Sequence, residues 1–180
     1  MDRSKKIETK RLVMRPLGIS FLSNTYLNWM QDVEVVKYME SGGENYSFND
    51  LEKYLLEIEE KNIYSWAIML KDRNYHIGNI KIDPIDSKKS TGEYGMMIGD
   101  KSSWGKGYAR EASEGILNFC FNNLLLRKIN LGVVTNNENA LKLYKSLGFI
   151  EEKRIKKQNP SNDSYTEIIR MTLLNNLTNE

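Results

Sequence analysis

The period of the apolar positions changes several times along the 180-residue chain, and each change marks an element. Arg11 to Leu17 alternates as a strand does, with Pro16 suited to its edge or exit. From Phe21 to Met39 the apolar residues recur at helical spacing, and Asp32 is placed to cap the second of two short helices. Gly42-Gly43 breaks this run. Ser47 and Asp50 then resemble a capping box, opening a helix through Leu51, Leu55 and Ile58 that ends near Lys61. Tyr64–Leu70 and His76–Ile82 read as a hairpin about the polar turn Asp72-Arg73-Asn74. A loop carrying Pro84, Ser87, Lys88 and Lys89 leads to a third strand, Glu93 to Ile98. Residues 109–124 put Ala112, Ile116, Leu117, Cys120, Phe121 and Leu124 on one helix face. Lys128 to Val134 is a β-branched strand, and Asn139 to Leu147 a short helix stopped by Gly148. Phe149–Ile155 and Tyr165–Leu174 form a closing strand pair, and 175–180 a frayed tail. The order predicts one α/β (α+β) domain over 1–180, a mixed, mostly antiparallel sheet flanked by helices.

Composition narrows the functions. Lys and Arg number 26 against 24 for Asp and Glu, a mixed field rather than the basic surface that holds nucleic acid, so no nucleic-acid partner is expected. A single cysteine, Cys120, excludes an internal disulfide and a thiolate metal cluster, and fits the cytoplasm. The longest apolar runs fall far short of the roughly 20 residues that span a bilayer, so no membrane partner is expected either. His76, the one histidine, has no Asp, Cys or second His spaced for a metal site or a triad. No metal is expected.

The chemistry concentrates in Trp104-Gly105-Lys106-Gly107-Tyr108-Ala109-Arg110, between a strand and an amphipathic helix. First-turn N–H groups lack intrahelical partners, and glycines let backbone close on an anion, so this junction suits a pyrophosphate; a plain Gly-rich turn is the other reading. A Walker loop fails because Trp104 stands where its second glycine is due and Gly107 follows Lys106. A dinucleotide fingerprint fails because Arg110 takes the third glycine's place.

Trp104 to Ala109 resembles the acyl-CoA pyrophosphate loop of the GNAT superfamily of N-acetyltransferases, with Trp104 in place of the usual Gln or Arg. That variation is similar to the branch of ribosomal-protein N-terminal acetyltransferases (RimJ/RimL type) and their relatives acting on amino sugars and polyamines. Asn137 to Phe149 matches the superfamily's segment N-x-x-A-x-x-x-Y-x-x-x-G-F throughout, and Thr9 to Arg15 resembles the opening strand of the same branch.

The resemblance implies acetyl-CoA as cosubstrate and direct transfer to a primary amine in a ternary complex, with residues 104–110 around the pyrophosphate. Met97 and Gly99 would lie on a splayed strand against the acetyl and pantetheine groups, the Met97 N–H serving as oxyanion donor; an ordinary strand pair is the alternative. Tyr144 matches the tyrosine that protonates the departing thiolate, yet also completes an apolar stripe with Ala140, Leu143 and Leu147. Asn137 would contact pantetheine or cap its helix. Glu93 would be the general base or a solvated strand-start carboxylate. Lys106 and Arg110 would assist the phosphates or simply be exposed. Cys120 sits mid-helix on the apolar stripe, where a thiol is inert core rather than an acyl carrier.

The acceptor, a small-molecule or peptide amine, is expected between Tyr38–Tyr46, Asp83–Lys89 and Lys156–Asp163. Trp29, Glu40, Glu44, Asp83 and Asp86 suit a cation there, Lys156 and Lys157 a phosphate. Tyr26–Trp29 and His76–Lys81 resemble acetyltransferases of nucleotide-linked amino sugars; a ribosomal-protein N-terminus, a polyamine and a non-catalytic acyl-CoA sensor are the alternatives. Families of this kind often form homodimers.

Overall fold

The computed structural model describes residues 5–158 and 165–175. Among them, one eight-stranded sheet runs β1 (Ile7–Glu8), β2 (Leu12–Pro16), β3 (Tyr64–Leu70), β4 (Tyr75–Asp86), β5 (Thr91–Ile98), β6 (Lys128–Val134), β8 (Tyr165–Leu174), β7 (Ile150–Gln158) across its width. Every neighbouring pair is antiparallel except β5 and β6. That parallel pair is short. It joins Thr91–Glu93 to Lys128–Asn130 and ends there, so the two strands separate beyond Glu93 and Asn130.

Strand alternation sends one set of side chains to each face. On one face Leu12, Met14, Trp66, Ile68, Ile80, Ile82, Ile129 and Leu131 pack with Ala112, Ile116 and Cys120 of α4 (Tyr108–Asn122). Ala140 and Tyr144 of α5 (Glu138–Ser146) join that core from the same side. On the other face Leu17, Ala67 and Met69 meet α1 (Asn24–Gln31) and α3 (Phe48–Glu60), through Tyr26, Trp29, Met30, Leu51, Leu55 and Ile58. This second layer covers β2 to β4 and leaves Gly132 of β6 exposed.

The caps follow the sequence. Asp32 closes α1 and caps α2 (Val33–Val36), its side chain accepting from the Glu34 N–H, and Ser47 with Asp50 forms a complete capping box on α3. Other expectations needed adjustment. β4 continues through the stretch expected to be a loop around Pro84, because Ile85 and Asp86 resume pairing with Gly92 and Thr91 after an irregularity. β5 accordingly begins at Thr91, and β7 extends to Gln158. The two-residue β1 carries too little pattern to stand out. Of the frayed tail expected over 175–180, Asn175 is instead buried and bonded, its N–H donating to the Arg127 carbonyl (2.9 Å) and its side-chain amide to the Leu126 carbonyl (3.2 Å), while 176–180 lie outside the described residues.

Candidate active site

The gap between β5 and β6 opens toward the Gly-rich loop. Gly105 and Gly107 adopt φ of +72° and +79°, which a side chain strains against, and a Cβ on Gly105 would meet nothing within 4 Å; the demand is conformational rather than steric. Gly107 caps α4 without a side-chain acceptor. No backbone N–H from Gly105 to Arg110 has an acceptor among the described residues. A run of N–H groups without acceptors at a helix N-terminus is suited to an anion.

The loop is held from three directions. Asp100 accepts from the Ser102 N–H and from the hydroxyls of Ser102 (2.8 Å) and Ser103 (2.5 Å). Lys101 reaches Asp32 (2.6 Å) and Glu34 (2.9 Å) on the α1–α2 corner. Arg11 donates through Nη1 to the Lys106 carbonyl (2.9 Å), lies 4.4 Å over the Tyr108 ring, and donates through Nε to Glu111 (2.6 Å). Glu111 also accepts from the Arg11 N–H and the Thr9 hydroxyl, each at 2.6 Å. Burial pushes the Glu111 carboxyl up, but these bonds outweigh it and hold the group below its ordinary range. Arg11 and Glu111 belong to no loop motif, and only their pairing across about 100 positions reveals them; Thr9-x-Arg11 upstream and Glu111 one turn into the helix were the available hints.

The strand phase changes one expectation. The Gly99 N–H donates to the Ile77 carbonyl (2.9 Å), so it faces β4. Alternation then turns Met97, opposite Asn79, toward β4 as well, and directs the N–H and C=O of Met96 and Ile98 to the open side. The Trp104 indole N–H donating to the Ile98 carbonyl (2.8 Å) lies on that side. The Met97 N–H is therefore not the outward donor. Spacing from the loop does not fix this phase, since it depends on how the 3₁₀ turn Lys101–Ser103 leaves the strand.

Tyr144 sits on α5 with its ring 5.7 Å from Tyr94 and 5.9 Å from Phe149, both edge-on. Tyr94 is itself fixed by a 2.7 Å hydrogen bond to Ser113, which donates to the Ala109 carbonyl (2.6 Å). The Tyr144 hydroxyl has no protein partner among the described residues, while burial pushes its pKa up to about 12. Packing and a free phenol coexist. Asn137 caps α5, accepting from the Ala140 N–H (3.3 Å). Glu93 stands where β5 and β6 part, and Arg170 Nη2 bonds both its oxygens (2.6 and 2.8 Å). Arg110 pairs with Glu114 (3.3 Å), and Lys106 is exposed with no carboxylate partner among the described residues.

On the α1 side, Trp29 is buried against Gly99, where a Cβ would come within 2.1 Å of the indole; it is no receptor for a cationic amine. His76 lies among Phe21, Tyr26 and Trp29, its Nε2 3.0 Å from both the Gly78 carbonyl and Asn79 Oδ1, and burial pushes its pKa down. Buried Cys120 is likewise pushed up to about 12, so it stays a thiol. Among the described residues, no group of three or more metal-ligating side chains occurs and no helix is long and apolar enough to cross a membrane.

Sheet, splay and loop together define an acyltransferase architecture, and comparison with known proteins agrees. The acetyltransferase (GNAT) domain matches residues 11–150, and the chain belongs to that family. It is 26% identical over 173 residues to the N-acetyltransferase p20 of Bacillus licheniformis, covering 92% of this chain and 94% of that one. It is 30% identical over 132 residues to a spermidine N(1)-acetyltransferase of Vibrio cholerae, covering 71% and 73%. A crystal structure of the Vibrio cholerae spermidine N-acetyltransferase in complex with CoA and spermine superposes with a TM-score of 0.80 at 26% identity, over 92% of this chain and 96% of that one.

Proposed function

We propose that this chain transfers the acetyl group of acetyl-CoA directly to a primary amine, in the cytoplasm. The observation that carries the reading is the parting of β5 from β6 onto the unpaired N–H groups of Gly105–Arg110. Acetyl-CoA supplies an activated acetyl group as its thioester. The loop N–H groups hold its pyrophosphate, with Lys106 and Arg110 at the rim. Ile98 offers a strand-like edge to pantetheine, and Met96, nearer the vertex, supplies the N–H that stabilises charge developing on the carbonyl oxygen.

As the amine nitrogen bonds to the acetyl carbon, the carbon–sulfur bond breaks and the sulfur accepts a hydrogen bond, then a proton, from Tyr144. The amine's own proton leaves through water. Glu93, held through both oxygens by Arg170, orients that water. Direct transfer is preferred because Cys120 is buried behind the sheet and remains protonated.

For the acceptor we favour a nucleotide-linked amino sugar over a polyamine or a ribosomal-protein N-terminus, on the likeness of residues 26–29 and 76–81 to enzymes of that kind. Calorimetric binding of acetyl-CoA to the purified chain and to Gly107→Glu tests the site: binding is expected in the first and lost in the second. Equal binding by both rejects the loop assignment, and binding without turnover on any amine favours a sensor.

A further inference from the structure

The face of β5, β6 and β8 turned away from α4 is open and carries an unbalanced charge. A segment following α2 bridges it: Tyr38 donates to the Asn136 carbonyl (3.1 Å), and Glu40 pairs with Lys157. The Glu93 carboxylate on this face is taken by Arg170, and Glu152 by Lys128 (2.5 Å). Two cations are left. Lys153, cross-strand from Arg170, and Lys81, cross-strand from Gly95, have no carboxylate within ion-pair distance among the described residues. Asp83 lies toward α3, where it acts on Tyr54 and Lys61, and Glu44 is exposed on the bridging segment.

Lys81 is placed rather than merely present. Its alkyl chain lies over Gly95, with Cγ and Cε each 3.4 Å from where a Cβ would be, and is half-buried there. From the opposite side Arg170 lies over Gly132, its Nη1 3.2 Å from the corresponding position. Glycine at these two strand positions leaves room for the Lys81 and Arg170 side chains to lie flat across the sheet. Gly95 is two residues, about 7 Å along the strand, from Met97 and one residue from the Met96 N–H.

We infer that the amine acceptor carries an anionic group, a phosphate or a carboxylate, and that Lys81 receives it. The inference rests on the acetyl-transfer reading. It makes Lys81 a specificity-determining residue and disfavours a polyamine, whose charges would meet two cations already lacking partners.

The test is calorimetry on the full chain saturated with CoA, so that the pyrophosphate loop is filled, with UDP, glycyl-glutamate and spermine as probes. Either anion binding, UDP marking a phosphate and the dipeptide a carboxylate, is the expected result, with spermine silent. Lys81→Gln, which keeps the stem, should weaken that binding roughly 10- to 100-fold, Lys81→Arg should restore it, and Lys61→Gln on α3 should leave it unchanged. Spermine binding in preference to both anions, no anion binding, or full anion affinity in a folded Lys81→Gln overturns the inference. Failure to bind CoA at the outset instead rejects the site on which it rests.

Discussion

Replacing Glu111 by Gln isolates the clamp on the loop. The carboxylate accepts three bonds of 2.6 Å, from the Thr9 hydroxyl, the Arg11 N–H and Arg11 Nε. Bonds to a charged group contribute about 1.5–3 kcal/mol each. The guanidinium arm is worth less because Arg11's side chain is 43% exposed and screened by solvent. Gln keeps one acceptor oxygen, so the net loss should be about 2 kcal/mol, a fall in Tm of about 4–8 °C for a chain of this size. If half of that loss falls on the organisation of the loop, acetyl-CoA affinity drops about fivefold. The stability difference also has a pH signature. Because Glu111's folded pKa lies below its unfolded value, its contribution is complete above the unfolded pKa and disappears as pH falls through the folded one. Melting and calorimetry of the wild type, Glu111→Gln, Arg11→Ala and the double variant measure this. Unchanged acetyl-CoA affinity in a destabilised Glu111→Gln, or additive single effects in the double variant, would refute a clamp that acts on the loop.

Tyr144→Phe should lower kcat about 100-fold or more while acetyl-CoA affinity and Tm stay near wild type; unchanged kcat removes the phenol from the mechanism. Since burial holds Tyr144 protonated to about pH 12, the rate between pH 6 and 10 should rise with deprotonation of the amine and show no falling limb from this residue; a falling limb below pH 10 contradicts that assignment. Gly107→Ala should cost about 1–2 kcal/mol from its left-handed backbone, read by thermal melting, and weaken acetyl-CoA binding; wild-type behaviour would mean the loop relaxes freely. Gly99→Ala should destabilise by about 1–3 kcal/mol, because the new methyl meets the Trp29 ring.

Where local structure was legible in the sequence, it came from local chemistry. Gly105 and Gly107 needed the left-handed region, Asn137 had its cap, and Ser47 with Asp50 its box, each determined within four residues. What escaped was set by contacts distant along the chain. Arg11 meets Glu111 only once β2 lies beside α4, and Glu93 meets Arg170 only once β8 lies beside β6. The direction of the Met97 N–H depends on strand phase, which side-chain patterning does not report, because side chains and N–H groups alternate along different axes. The stretch around Pro84 looked like a loop because proline and charge there outweigh the pairing partners that β5 supplies.

The central claim is acetyl transfer from acetyl-CoA to an amine. It is tested most directly by acetyl-CoA-dependent thiol release with UDP- and dTDP-linked amino sugars, spermidine, ribosomal N-terminal peptides and aminoglycosides, each product checked for one added acetyl group. Saturable release with one class, yielding an N-acetylated product, is the predicted result. No acetylated product from any class, from protein that fails to bind acetyl-CoA, would contradict the account.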